Sequence, residues 1–356
     1  MRKKLLSAAL AGIMALSVEV FPTQTQAATR DEIAAIKVSK SGKFNYWNKD
    51  SEAKQQLISY VKDVTNKSSK NFIPVEDRIA TFDMDGTILY ETAPTAFCYM
   101  FGLYSILENP TPKVTEKIQE KAKIWQEAIL TKNFTPEIEK EFKDYGWKLF
   151  EGLTDEEYYS RLEKFMTTKN VVGLKNLKYG ESFYLPMIEI ISYLNANDFT
   201  VYIITGSERR ATRGLLEGAV PVQKNHIIGC DIPYTWENNG GEKYFLSGDR
   251  ILISDHRNGS NTRINKIYSI NREIGKKPVL AFGNSFGDAD MLNYTLTDNK
   301  YKSAAFMVIC DDFDREIGNR ELADSILQAA QKNNWNTISM KNDWTTIYGD
   351  NVKVIK

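Results

Sequence analysis

The chain has 356 residues, with 46 Lys and Arg against 46 Asp and Glu, and is 42% hydrophobic and 26% charged. These figures describe a globular protein of one or two domains and exclude disordered and fibrous classes. The balanced charge offers no electrostatic footprint for nucleic acid, and a mean hydropathy of -0.40 excludes a polytopic membrane protein.

Residues 1–27 read as a secretory signal peptide. Arg2, Lys3 and Lys4 precede an apolar run from Leu5 to Val18, and Thr25-Gln26-Ala27 supplies small residues for cleavage. The run is shorter than the roughly 20 residues of a spanning helix, and Glu19 follows it at once. The expectation is an exported protein, periplasmic or extracellular, with no stable membrane insertion once the leader is removed; an uncleaved anchor is the alternative. Without the leader's three basic groups and Glu19, the 46 basic and 46 acidic side chains become 43 and 45, a mature charge of about -2.

Residues 28–75 form an N-terminal helical extension. Asp50 or Ser51 can cap a helix on which Leu57, Tyr60, Val61 and Val64 share a face, and Pro74 ends the linker after it. The uncharged run Ile79-Ala80-Thr81-Phe82 then predicts a buried strand, leading into the polar loop Asp83-Met84-Asp85-Gly86-Thr87. Residues 91–180 change texture, with Val114, Ile118, Trp125, Ile129, Phe142, Trp147 and Phe150 at helical intervals, and read as an inserted helical domain.

Beyond it an α/β rhythm resumes. Pro186 opens a helix carrying Met187, Ile190, Ile191 and Leu194; Phe199–Ile204 is a strand ending at Thr205-Gly206-Ser207, and His226–Cys230 another. Residues 232–263 look like a small hairpin excursion marked by Asn238-Asn239-Gly240-Gly241 and Ser247-Gly248-Asp249. A helix over 265–274 precedes strand Pro278–Phe282 and the loop Gly283-Asn284-Ser285-Phe286-Gly287-Asp288, and Ala304–Ile309 is a last core strand. Strands alternating with helices predict an α/β fold, a doubly wound and mostly parallel sheet spanning 76–90 and 181–356, with its ligand crevice outside the carboxyl ends of the strands.

Three apolar strands thus end in three polar loops, holding Asp83 and Asp85, Thr205, and Asn284 and Asp288. Carboxylates gathered at one crevice raise each other's pKa unless a cation neutralises them, and oxygen donors without His or Cys suit Mg²⁺. Cys98, Cys230 and Cys310 lack metal-ligand spacing and permit at most one disulfide; His226 and His256 form no nucleophile pattern.

The set Asp83-Met84-Asp85-Gly86-Thr87, Thr205, a lysine before the third strand, and Gly283-Asn284-Ser285-x-Gly287-Asp288 resembles the four motifs of the haloacid dehalogenase superfamily, in particular its phosphoserine-phosphatase-like branch with a helical cap. The resemblance implies a HAD-like Rossmannoid core and a phosphoric monoester hydrolase. Asp83 would attack phosphorus and carry an aspartyl phosphate; Asp85 would serve as general acid and base, its main-chain carbonyl joining Asp83 on Mg²⁺. Thr205 and Gly206 would hold the phosphoryl group, and a lysine would offset its charge. Lys266, which opens the helix before the third strand, is the best assignment for that lysine, with Lys243, Lys276 and Lys277 as rivals.

Asn284 stands where many relatives carry aspartate, which removes one negative charge from the metal site. Asp288 is then a direct or water-mediated ligand beside Asn284. Asp85 favours phosphatase over dehalogenase chemistry, because a phosphoester leaving group needs a proton. For the substrate, a small phosphomonoester, Glu91 could meet a cationic group or simply be solvated. Tyr90, Phe97, Tyr99 and Tyr104 nearby would suit a quaternary ammonium such as that of phosphocholine, or else are core of the helical domain; the expected substrate is phosphoserine- or phosphocholine-like. A phosphotransferase or mutase and a non-catalytic phosphate-ligand binder are the alternatives.

Overall fold

The computed structural model describes residues 27–90, 95–238 and 241–355. The leader expected over 1–27 lies, apart from Ala27, outside the described residues, as does Glu91.

Six strands build the core sheet: β1 (Ile79–Phe82), β2 (Thr200–Glu208), β3 (Ile227–Cys230), β4 (Leu280–Gly283), β5 (Ala304–Ile309) and β6 (Asn336–Ser339). Their spatial order is β3-β2-β1-β4-β5-β6, and every neighbouring pair is parallel. All four residues of β1, and all of β3 and β4, are buried, as a parallel sheet covered on both faces requires. The winding changes side at β1, which opens a crevice beyond the ends of β1 and β4.

Two strands depart from the sequence expectation. β2 continues past Thr205 to Glu208, but its register with β3 breaks between Ile204 and Glu208. The irregularity re-aims the Thr205–Ser207 segment instead of ending the strand. β6 was not foreseen, since Asn336-Thr337-Ile338-Ser339 has a single apolar residue; it is a half-buried edge strand paired with β5.

Helix α1 (Glu52–Thr65), capped by Ser51 Oγ accepting from Lys54 N, belongs to an extension woven into the body. Tyr60 Oη donates to the carbonyls of Val279 at 2.9 Å and Lys302 at 3.0 Å, and Trp47 Nε1 to that of Pro186 at 3.1 Å. Among the described residues from 95 to 184 lie four α-helices, α2 (Phe97–Leu107), α3 (Glu116–Leu130), α4 (Pro136–Gly146) and α5 (Asp155–Thr168). Thr115, Thr135 and Thr154 start the last three by accepting from the third amide of each helix, and Thr154 completes a capping box with Glu157.

Further helices are α6 (Leu185–Ala196), α7 (Arg209–Leu216), α8 (Ile264–Ser269), α9 (Ala289–Leu296) and α10 (Arg320–Asn333), besides short ones at Arg30–Ala34 and Met340–Asp343. α8 continues as a π-helical turn over Ile270–Ile274 and stops at Gly275, whose φ is 70°. The excursion after β3 is an antiparallel hairpin of Tyr234–Glu237 with Arg250–Ile253, and Ile253 exchanges backbone hydrogen bonds with Gly152 and Leu153. Cys98, Cys230 and Cys310 are in no disulfide among the described residues. No helix among the described residues is long and apolar enough to cross a membrane.

Candidate active site

An aromatic stack fixes the strand ends. Phe82 of β1 lies 4.2 Å from Phe282 of β4, and Phe282 lies 5.1 Å from Phe306 of β5, the rings stacked with nearly parallel planes. Just past it, Asp83 N donates to the Phe282 carbonyl at 2.9 Å, so the nucleophile candidate leaves the sheet at a set height. The chain then folds back, the amides of Thr87, Ile88 and Leu89 converging on the Met84 carbonyl. Gly86 is required there twice over: its φ is +74°, and a Cβ would sit 1.9 Å from Asn284 Nδ2.

At the floor of the crevice Lys266 is almost wholly buried, and so are Asp83 and Asp288. Lys266 Nζ donates to Asp83 Oδ1, to Asp288 Oδ1 at 2.7 Å and to the Ile204 carbonyl at 2.6 Å. Burial, then the charge of Asp288, push the Asp83 carboxyl up to about 8 against the pull of Lys266. Lys266 is held above the usual lysine range because its two carboxylate partners outweigh its burial. Asp288 also closes its own loop: its Oδ2 accepts from Asn284 N and Ser285 N at 3.1 Å and Ser285 Oγ at 3.2 Å.

Asp85 Oδ2 accepts from Ser207 Oγ at 2.7 Å. Thr205, fully buried, accepts through Oγ1 from Ser207 N at 3.0 Å, and its carbonyl receives Asn261 Nδ2 at 2.9 Å. The same Asn261 amide reaches the Ile228 carbonyl at 3.2 Å, so one buried side chain ties the ends of β2 and β3 together. Gly206 admits Thr262, whose Cγ2 would lie 2.6 Å from a Cβ placed there.

The fold therefore gathers Asp83, Asp85, Thr205, Gly206, Lys266, Asn284 and Asp288 at one set of strand ends. The other lysines are elsewhere: Lys276 pairs with Asp77, Lys277 donates to the Thr297 carbonyl, and Lys243 is exposed near the hairpin. Ser207 and Asn261 were missed by sequence reasoning. Ser207, two residues after Thr205 in a strand-end loop, carried a readable signal; Asn261, in an irregular segment, carried none. The aromatics follow the cap-core reading and not the cage: Tyr90 and Phe97 are fully buried, and Tyr104 packs on Phe165. Of the four only Tyr99 reaches the cavity.

Among the described residues no group of three or more His, Cys, Asp or Glu side chains is close enough to chelate a metal ion by itself. A weaker demand is met. Mg²⁺ keeps several waters and needs one or two carboxylates, and the oxygens here are those of Asp83, the Asp85 carbonyl and Asn284. Asn284 Oδ1 accepts from Thr87 Oγ1 at 3.3 Å, which turns it toward the first loop. Both Asp288 oxygens are engaged with Lys266 and the loop, so Asp288 reads as the anchor of that lysine more than as a metal ligand.

No family model and no curated protein matches the chain. Among solved structures it is similar to a functionally unknown protein from Anaerococcus prevotii, at 14% identity over 85% of this chain and 94% of that one, with a TM-score of 0.51. It is also similar to cytosolic 5'-nucleotidase IIIB bound to cytidine, at 13% identity over 81% of this chain and 85% of that one, with a TM-score of 0.44. A third is a phosphoserine phosphohydrolase-like protein from Francisella tularensis, at 11% identity over 65% and 87% of the two chains, with a TM-score of 0.36. At such identities the likeness is one of fold. The first of them shares with this chain a doubly wound α/β architecture, here a six-stranded parallel sheet with polar loops at the ends of β1, β2 and β4.

Proposed function

We propose that the protein is an exported, Mg²⁺-dependent phosphomonoesterase acting on a small-molecule ester. The observation that carries this reading is the buried Asp83–Lys266–Asp288 cluster at the end of the central strand, with Asp85 held beside it by Ser207. Export rests on the composition of residues 1–27.

In this reading an Asp83 carboxylate oxygen attacks phosphorus as the bond to the leaving oxygen breaks. Asp85 gives that oxygen its proton, and an aspartyl phosphate results. Asp85 then takes a proton from water, whose oxygen attacks the same phosphorus; the Asp83–phosphorus bond breaks and inorganic phosphate leaves. Lys266 pulls Asp83 toward its ionised form, against burial and Asp288, and opposes the charge that builds on the phosphoryl oxygens. The hydrogen bond from Ser207 orients Asp85, and Asn261 holds the Thr205 loop against the phosphoryl position. Asp83, the Asp85 carbonyl and Asn284 would hold Mg²⁺, which would further neutralise the phosphate.

The test is phosphate release from p-nitrophenyl phosphate with water as the only acceptor, which also separates a hydrolase from a phosphotransferase. Activity is expected with Mg²⁺, to vanish with EDTA, and to fall at least about 10³-fold in Asp83→Asn. Full activity in EDTA or in that variant overturns the mechanism. Cleavage near Ala27, read by N-terminal sequencing of protein recovered outside the cytoplasm, tests export.

A further inference from the structure

The cavity above the strand ends measures about 670 Å³, far more than a phosphate fills and within the range of pockets that hold a whole small molecule. Its two walls differ in chemistry. The floor is acidic, with Asp83, Asp85 and Asp288 against Lys266. The far wall, from the helices between β1 and β2, is aromatic: Phe142 meets Tyr99 at 5.4 Å and Phe134 at 6.2 Å, and Trp147 lies farther along.

That far wall carries surplus positive charge. Lys143 is matched by Glu139 at 2.7 Å, which also accepts from Tyr99 Oη at 2.7 Å. Lys132 and Arg257 line the same cavity, and neither has a carboxylate of the described residues within 4 Å. Arg257 is placed, not merely exposed. Its guanidinium lies over the Trp147 ring, 4.5 Å from the centroid, and donates to the Gly259 carbonyl. The strap carrying it is fastened before it by Ser254 N to the Pro233 carbonyl at 3.0 Å, and after it by Asn258 N to the Asp231 carbonyl at 2.8 Å and by buried Asn261. A planar guanidinium stacked on an indole keeps its outer edge for a bidentate anion.

We propose that the substrate is a phosphomonoester whose leaving group carries a planar ring and, at its far end, a second anionic group taken by Arg257 with Lys132. This deepens, and rests on, the phosphatase reading. The phosphoryl group sits at the acidic, metal-binding floor; the ring lies along Phe142 and Trp147; the second anion reaches Arg257. A quaternary ammonium in that place would face two unmatched cations, so a choline ester is the wrong sign for this wall.

The experiment compares kcat/KM for 4-carboxyphenyl phosphate, phenyl phosphate and phosphocholine with Mg²⁺, in the full protein and in Arg257→Met and Lys132→Gln. Comparing each variant's ratio with that of the parent cancels differences in leaving-group reactivity. The carboxylated ester is expected to exceed phenyl phosphate about tenfold, chiefly through KM, with the ratio near one in Arg257→Met and intermediate in Lys132→Gln. A ratio of one in the parent, an equal loss on both aryl esters in Arg257→Met, or phosphocholine as the best of the three overturns the proposal. Calorimetric binding of 4-carboxybenzylphosphonate against benzylphosphonate reads the same ratio without turnover. Absence of any phosphate release with a tenfold binding preference would then sink the phosphatase reading alone, and turnover with no preference would sink only the anionic-substrate inference.

Discussion

Two buried acids in this protein solve the same problem differently. Asp83, at the end of β1, is held by Lys266 and crowded by Asp288. Glu189, within α6, is fully buried, and its carboxylate accepts from Asn45 N at 2.7 Å and Tyr46 N at 3.0 Å, with no cation of the described residues within 4 Å. Burial is the first cause of the upward shift in both, to about 8 and about 7. The second cause separates them. At Asp83 it is a like charge, which an incoming cation can relieve; at Glu189 the backbone amides already oppose the shift and nothing remains to be added. A carboxylate crowded by another beside a cavity suits ligand chemistry, whereas one satisfied by amides under a docked segment suits architecture.

The comparison breaks most sharply at Lys266. Lys266→Met leaves Asp83 and Asp288 buried without their shared counter-charge, and a cost of about 3–5 kcal/mol in urea unfolding is expected along with loss of turnover. Lys266→Met combined with Asp288→Asn should recover part of that stability but not the activity, because it removes the repulsion and leaves the phosphate unopposed. If the double variant is as unstable as the two losses added, the three groups do not act as one cluster.

Glu189 sharpens the contrast through pH. Its carboxyl titrates near 4.5 in the unfolded chain and at about 7 in the folded one. Between these values the folded state binds more protons, so this group's contribution to stability is greatest at low pH and is lost as pH rises through that window, by about 3 kcal/mol. Glu189→Gln cannot titrate. It should cost about 1 kcal/mol at pH 4.5, for the hydrogen bond that an amide cannot supply to both backbone donors, and should flatten the slope of stability with pH between 4.5 and 7. Equal slopes for variant and parent would show that Glu189 is ionised throughout and that the two sites are not comparable.

What the sequence made legible follows the same division. Asp83, Asp85, Asn284 and Asp288 could be read because each follows an uncharged apolar run, and burial of a strand forces the first polar residues into the crevice at its end. Lys266 could be read only as the best of several lysines, since the choice depends on how the α8 segment meets β2. Ser207 and Asn261 act through contacts across strands, which spacing along one chain does not encode. The aromatics Tyr90, Phe97 and Tyr104 have the composition of a ligand cage but pack among Phe165 and Tyr179. Glu189 did leave a trace, as the lone acid in the apolar stretch from Leu185 to Leu194. β6 left almost none, because an edge strand needs little apolar surface.

Glu208 stands between the two extremes and gives the mildest test. It ends β2, caps α7 by accepting from Arg210 N at 3.0 Å and Ala211 N at 2.7 Å, and also accepts from Arg210 Nη1 at 3.1 Å. Its last partner is Tyr158 Oη of α5 at 2.9 Å, so the inserted helices hold the sheet through a buried acid beside the cavity. Burial pushes Glu208 up, and Arg210 is the chief opposing influence. Tyr158→Phe deletes one of four donors and leaves the cation and both amides in place, so a loss of only about 1 kcal/mol is expected in urea unfolding. A loss as large as that of Lys266→Met would mean that Glu208 depends on the tyrosine and not on Arg210. The ordering of the three acids by their cationic partner would then be wrong.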